Sequence, residues 1–139
     1  MPARTKIEIS PALVRRISGL DDLARLFFPD NKNHQRAFIV IWVEIKYGNN
    51  QFLSSSVDLV AKYDVSQRTV EIVRAKMQKL GLIGRISHFN PSHGCRSGWV
   101  FSNRLRSCLR GLASAIRDAE TPSERRVDQQ KDRDSLMYV

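Results

Sequence analysis

Apolar residues recur along this chain at two periods, and the periods predict its elements. Phe38, Ile39, Ile41, Trp42 and Ile45 lie three and four apart, the spacing of one helix face. Val40 and Val43 widen that stripe, so the predicted helix belongs at the centre of the core. It runs to about Tyr47, with Asn31 or Asn33 as N-cap. Its β-branched content leaves strand as the alternative; length and cap favour helix. Two shorter helices are predicted before it, over residues 11–17 and 21–28. The second has Asp21 and Asp22 in its first turn and Pro29 behind it.

After a turn at Gly48, Asn49 and Asn50, residues 51–53 read as a short strand. Ser54, Ser55 and Ser56 offer caps for a helix to about Tyr63, with Val57, Val60 and Ala61 facing inward. Asp64 and Val65 leave room only for a tight turn. Ser66 then caps a helix over Gln67–Leu80, and Gly81 stops it as a left-handed residue would. Residues 82–89 read as a strand, 90–98 as a loop with Pro91, Gly94 and Gly98, and 99–102 as the return strand. Asn103 opens a last helix, whose stripe is Leu105, Cys108, Leu109, Leu112, Ala113 and Ile116. The expected fold class is therefore mainly α with a small β-hairpin. Residues 1–10 read as a flexible arm, 11–119 as one domain, and 120–139, polar and of mixed charge, as a disordered tail. No internal repeat is present.

The helix over Gln67–Leu80 divides cleanly. At 100° per residue, Thr69, Val70, Val73, Met77 and Leu80 fall within one arc of about 100°. Gln67, Arg68, Glu71, Ala75, Gln78 and Lys79 lie opposite, with Arg74 and Lys76 on the flanks. Ala75 near the middle of the polar arc would let the helix axis approach a surface closely. Gln pairs with adenine, Arg with guanine, and Glu accepts from the cytosine amino group. Arg74 and Lys76 are better placed for phosphates. Any amphipathic helix has a polar face, so the weight rests on the agreement of turn, cap, hairpin and charge.

Two short helices joined by a tight turn, then a hairpin, make the helix-turn-helix order with a wing. Val65, Ser66, Thr69, Val70, Val73, Met77, Leu80, Gly81, Leu82 and Ile83 occupy the positions of a V-S-x-x-T-V pattern closing on L-G-L-I. Over about 50 residues, wing included, the chain resembles the winged helix-turn-helix superfamily. The resemblance implies a winged helix-turn-helix with extra N-terminal helices and a C-terminal helix, binding double-stranded DNA. It implies a recognition helix at Gln67–Leu80 in the major groove and a wing on the backbone or minor groove. The implied DNA-binding residues are Ser66, Gln67, Arg68, Thr69, Glu71, Arg74, Lys76, Gln78 and Lys79, with Arg85, His93 and Arg96 on the wing. A basic wing residue suits the enhanced negative potential of a narrow minor groove; His93 reads equally as a solvent-exposed loop histidine.

Charge sharpens this picture. The 139 residues hold 23 Lys and Arg against 14 Asp and Glu, a formal charge of +9. Residues 52–110 alone hold 10 basic and 3 acidic side chains, against 8 and 5 before them and 5 and 6 after. A localised basic surface is what release of counterions from phosphates requires. No apolar run approaches the roughly 20 residues of a membrane span, and residues 1–4 show no signal-peptide pattern. Cys95 and Cys108 are too few for a disulfide framework, so a reduced, cytoplasmic, nucleoid-associated setting is expected.

Other chemistries are weakly represented. His88, His93, Cys95 and Cys108 match no paired zinc spacing, Cys95 reads as a free surface thiol, and Cys108 reads as a small buried hydrophobe. No phosphate-binding loop, dinucleotide fingerprint or nucleophile motif occurs, so neither a cofactor nor an enzymatic activity is expected. Leu105, Leu109, Leu112 and Ile116 either pack on Phe38 and Trp42 or form a homodimer interface, the arrangement the resemblance implies. The leading expectation is a transcriptional regulator. A plasmid or viral replication or partition protein binding DNA repeats is the second reading. A winged-helix protein-interaction module is the third.

Overall fold

In a computed structural model, residues 10–54, 57–90 and 94–139 are described. The chain is mainly helical with one two-stranded antiparallel sheet, and it divides into two units, Met1–Asn103 and Arg104–Val139. In the first unit, α1 (Pro11–Arg15) and α2 (Leu20–Phe27) precede α3 (Lys32–Lys46). A 3-10 turn at Asn49–Gln51 leads to α4 (Val57–Tyr63), α5 (Gln67–Leu80), β1 (Ile83–Asn90) and β2 (Gly94–Phe101).

The core collects on α3 for the reason its sequence suggests. Ala37, Phe38, Val40, Ile41 and Ile45 are buried, while Ile39, Trp42 and Val43 are half-buried. Asn31 caps the helix, its side chain accepting from the His34 N–H at 3.0 Å. A run of rings crosses the unit from α2 to β2. Phe27 and Phe28 each stand 5.9 Å from Phe38, Phe38 stands 5.4 Å from Trp42, and Trp42 stands 4.7 Å from Phe101. Such tilted ring pairs add to the burial of their area. α4 supplies Leu59 and α5 supplies Val70, Val73 and Met77. Ala61, expected to face inward, is exposed; Leu59 takes that place and Val60 is half-buried.

The turn between α4 and α5 is short because Asp64 adopts a left-handed conformation (φ 53°) and Val65 drops into the core. Ser66 caps α5, its hydroxyl accepting from the Thr69 N–H at 3.1 Å. Gly81 ends it at φ 90°, and the Leu82 N–H returns to the Met77 carbonyl at 2.9 Å. A polar cluster ties α3 to α4. The Tyr63 hydroxyl donates to Glu44 at 2.5 Å, and the Lys62 ammonium meets the same oxygen at 3.0 Å. The Arg36 guanidinium also donates to the Tyr63 carbonyl at 2.9 Å.

The hairpin is longer than the sequence pattern suggests. Its register runs from Ile83 opposite Phe101 to Asn90 opposite Gly94, so residues expected in a loop belong to β2. Residues 51–53 do not form a strand of their own. Leu53 instead makes an isolated antiparallel bridge to Trp99, with reciprocal bonds of 2.9 and 2.8 Å. Gly98 permits it: a Cβ there would collide with the Leu53 carbonyl and the Phe52 ring.

The second unit holds α6 (Arg104–Glu120), α7 (Arg126–Asp134) and a 3-10 turn at Ser135–Tyr138. Residues 120–139 read as a disordered tail, yet α7 is helical. Its local bonds show how a polar segment does this: Gln129 bonds the Ser123 carbonyl at 2.7 Å, and Gln130 bonds Asp134 at 2.8 Å. Residues 1–9 of the expected arm lie outside the described residues.

Candidate nucleic-acid interface

α5 buries Val70, Val73 and Met77 and turns its opposite face to solvent. Arg68, Glu71, Ala75, Gln78 and Lys79 are exposed on that face, as the wheel predicts. At its first turn the predicted contacts bond to each other. Ser66 and Thr69 share a hydroxyl–hydroxyl bond of 2.7 Å within the cap, and the Gln67 amide donates to Glu71 at 3.0 Å. Ser66 and Thr69 therefore have a structural task, while Arg68 extends from the same turn into solvent.

The wheel puts both Arg74 and Lys76 on flanks suited to phosphates, and the structure separates them. The Arg74 guanidinium lies over the Trp99 ring, 4.4 Å from its centre. Arg85 of β1 approaches the same ring at 5.9 Å, because Arg85 and Trp99 are register partners and share a face of the hairpin. Lys76 points the other way. Its ammonium donates to the Phe27 carbonyl at 3.1 Å and sits 4.7 Å over the Phe28 ring. It pins the end of α2, so its ammonium is engaged in packing and not turned to the exposed face of α5.

Arg74, Arg85 and Trp99 line a cleft of about 250 Å³ between α5 and the hairpin, with Ser54, Glu71 and Ser97 on its walls. Stacking on an aromatic face holds a guanidinium in place while its edge keeps its N–H donors. Two such edges and two hydroxyls suit an anion with several acceptor oxygens, and a phosphodiester is one. Glu71 at the same cleft would repel that anion or orient a neighbouring Arg.

Ile72 is the candidate the sequence reading leaves out. It is 45% exposed on α5, and its wheel position about 40° from Arg68 was the available signal. An exposed apolar side chain on such a face matches the methyl group of thymine. His93 lies outside the described residues. Arg96, expected in a loop, pairs with His88 in the sheet, and the side chains of His88, Cys95 and Arg96 also lie outside the described residues. Cys108, expected to be buried, is exposed. Among the described residues, no three His, Cys, Asp or Glu side chains are grouped to hold a metal, and no helix is long and apolar enough to cross a membrane.

Among the described residues, the groups with shifted acidities lie on α2, α3 and α4. The Ser18 N–H holds the Asp22 carboxyl below its ordinary range. The Tyr63 hydroxyl, then the Lys62 ammonium, hold Glu44 low. Glu44 in return raises Tyr63 and Lys62. None of these groups lines the α5 cleft.

No protein-family model, no curated protein and no solved structure matches the chain.

Proposed function

We propose that this chain is a winged helix-turn-helix protein that binds double-stranded DNA sequence-specifically, as a transcriptional regulator. In this reading α5 enters the major groove and the β1–β2 hairpin lies on the adjoining backbone or minor groove. The observation that carries it is the juxtaposition of α5's exposed Arg68–Ala75–Lys79 face with the Arg74–Trp99–Arg85 cleft. The face offers side chains that discriminate base edges. The cleft offers fixed cations to the backbone that flanks a groove.

The test is binding of the purified protein to its own upstream region and to random duplex across a salt series, with footprinting. Specific binding at least about 10³-fold tighter than to random duplex supports the reading. Arg68→Ala should then cost about 1–3 kcal/mol on the preferred site and little on random duplex. Equal affinity for every duplex, or an Arg68→Ala protein with unchanged preference, overturns the assignment of α5 as the reading helix. Absence of binding at low salt overturns the function.

A further inference from the structure

Glu71 is the sole acidic residue of α5, and it stands both on the exposed face of that helix and on the wall of the cleft. On the wheel it lies about 40° from Gln67 and about 40° from Ala75, at the middle of the face. Arg68 precedes it by three residues and Arg74 follows it by three, a spacing at which helix surfaces form ion pairs. Neither pair forms. The Arg74 guanidinium is held over the Trp99 ring, Arg68 extends into solvent, and among the described residues no ion pair includes Glu71. Its hydrogen bond comes from the Gln67 amide at 3.0 Å, a neutral donor that leaves the negative charge in place. We infer that Glu71 sets the sequence preference of α5 by repulsion: it weakens binding to duplex DNA in general and is compensated only where the amino group of a cytosine faces it. This inference rests on the DNA-binding reading above.

The chemistry of the groove supplies the preference. An ionised carboxylate only accepts hydrogen bonds. In the major groove guanine presents two acceptors, thymine an acceptor and a methyl group, and cytosine a donor. Against guanine or thymine the carboxylate gives up water and gains no partner. Against cytosine it gains a charge-assisted bond. Adenine sets its amino donor beside an acceptor nitrogen, which faces the carboxylate unfavourably. Backbone phosphates repel Glu71 whatever the sequence, and Ala75 lets the helix axis come close enough for both effects to act at short range. Discrimination is a difference of affinities, so a group that penalises the wrong bases creates it as effectively as one that attracts the right base.

Glu71→Gln tests this, because it removes the charge while keeping the shape and nearly the same helix propensity. The preferred site of the wild-type chain is first selected from a random duplex library. The variant should bind random duplex about fivefold tighter, the factor that two unit charges about 4 Å apart are worth in water. Its preference for cytosine should fall at one position of the selected site and preferences at the other positions should persist, a result that a change of net charge alone would not produce. Random-duplex affinity that does not rise, or a rise with every cytosine preference intact, overturns the inference and leaves DNA binding standing. No binding of the wild-type chain to any duplex at low salt overturns both.

Discussion

Arg74 and Lys76 are two residues apart on one helix, and their neighbours give them different consequences. Lys76 donates to a backbone carbonyl of α2 through its charged ammonium, so Lys76→Ala should lower stability by about 1–3 kcal/mol. It should leave the salt dependence of DNA binding unchanged. Arg74→Ala should do the reverse, weakening binding on every sequence and reducing the slope of log K against log salt by about 1. Equilibrium unfolding and a salt titration of both variants separate the two roles, and a slope that falls with Lys76 and not with Arg74 would exchange them. Glu44 and Tyr63 allow a test by pH. Glu44 is held below its ordinary 4.5, so its contribution is complete above pH 4.5 and disappears as pH falls through the lower folded value. Tyr63 is raised above 10.0, so its contribution is complete below pH 10.0 and disappears as pH rises through the higher folded value. The wild type should therefore melt above Tyr63→Phe by a constant margin between about pH 5 and 9, narrowing on both sides. A margin as wide at about pH 3 as at pH 7 would show that the hydroxyl's bond to the Glu44 carboxylate is not its source.

At the scale of elements, the hairpin holds Trp99 in place for Arg74, and Gly98 sets how closely Phe52 and Leu53 approach it. Gly98→Ala pushes a methyl into the Leu53 carbonyl and the Phe52 ring, which should cost about 1–3 kcal/mol and open the Leu53–Trp99 bridge. Gly84→Ala is the matched comparison, since its Cβ would stand at an ordinary 3.9 Å from the Ser102 Cβ. Equal stability of the two variants in denaturant would remove the bridge from the account. The same elements show what a sequence makes legible. α3 and α5 follow from local rules, with Asn31 and Ser66 as caps, Gly81 as terminator and a single apolar face on α5. Arg68, Ala75 and Lys79 follow from the same wheel. Pairing across the hairpin is less local. Gly94, Gly98 and Pro91 signalled a long loop, but register is decided by cross-strand partners that a single strand does not reveal. The partner of Lys76 is hidden from the sequence for a similar reason. The lysine's position on the wheel is a flank, and only tertiary packing brings the Phe27 carbonyl to that flank.

At the scale of the whole chain, stability and charge are distributed unequally between the two units. Every buried hydrophobic residue among those described lies between Ala24 and Ile83. Residues 1–103 also hold 15 basic and 8 acidic side chains, most of the excess positive charge of the chain. Among the described residues, none after Asn103 is buried, and α5, the hairpin, Arg74, Arg85 and Trp99 all lie before that cut. The fragment 1–103 should keep the cooperative melt of the full chain. It should bind a single half-site with nearly the same affinity and salt slope, because it keeps the Arg74–Arg85–Trp99 cleft proposed to meet the phosphates. If α6 pairs two copies of the chain, the fragment should be much weaker than the full chain on a palindromic site, because it lacks the pairing that raises effective concentration. Calorimetry and half-site titrations of the fragment read these outcomes independently. A large fall in melting temperature would mean that α6 covers the core of the first unit. Equal affinity of fragment and full chain on the palindrome would mean that α6 does not pair on DNA.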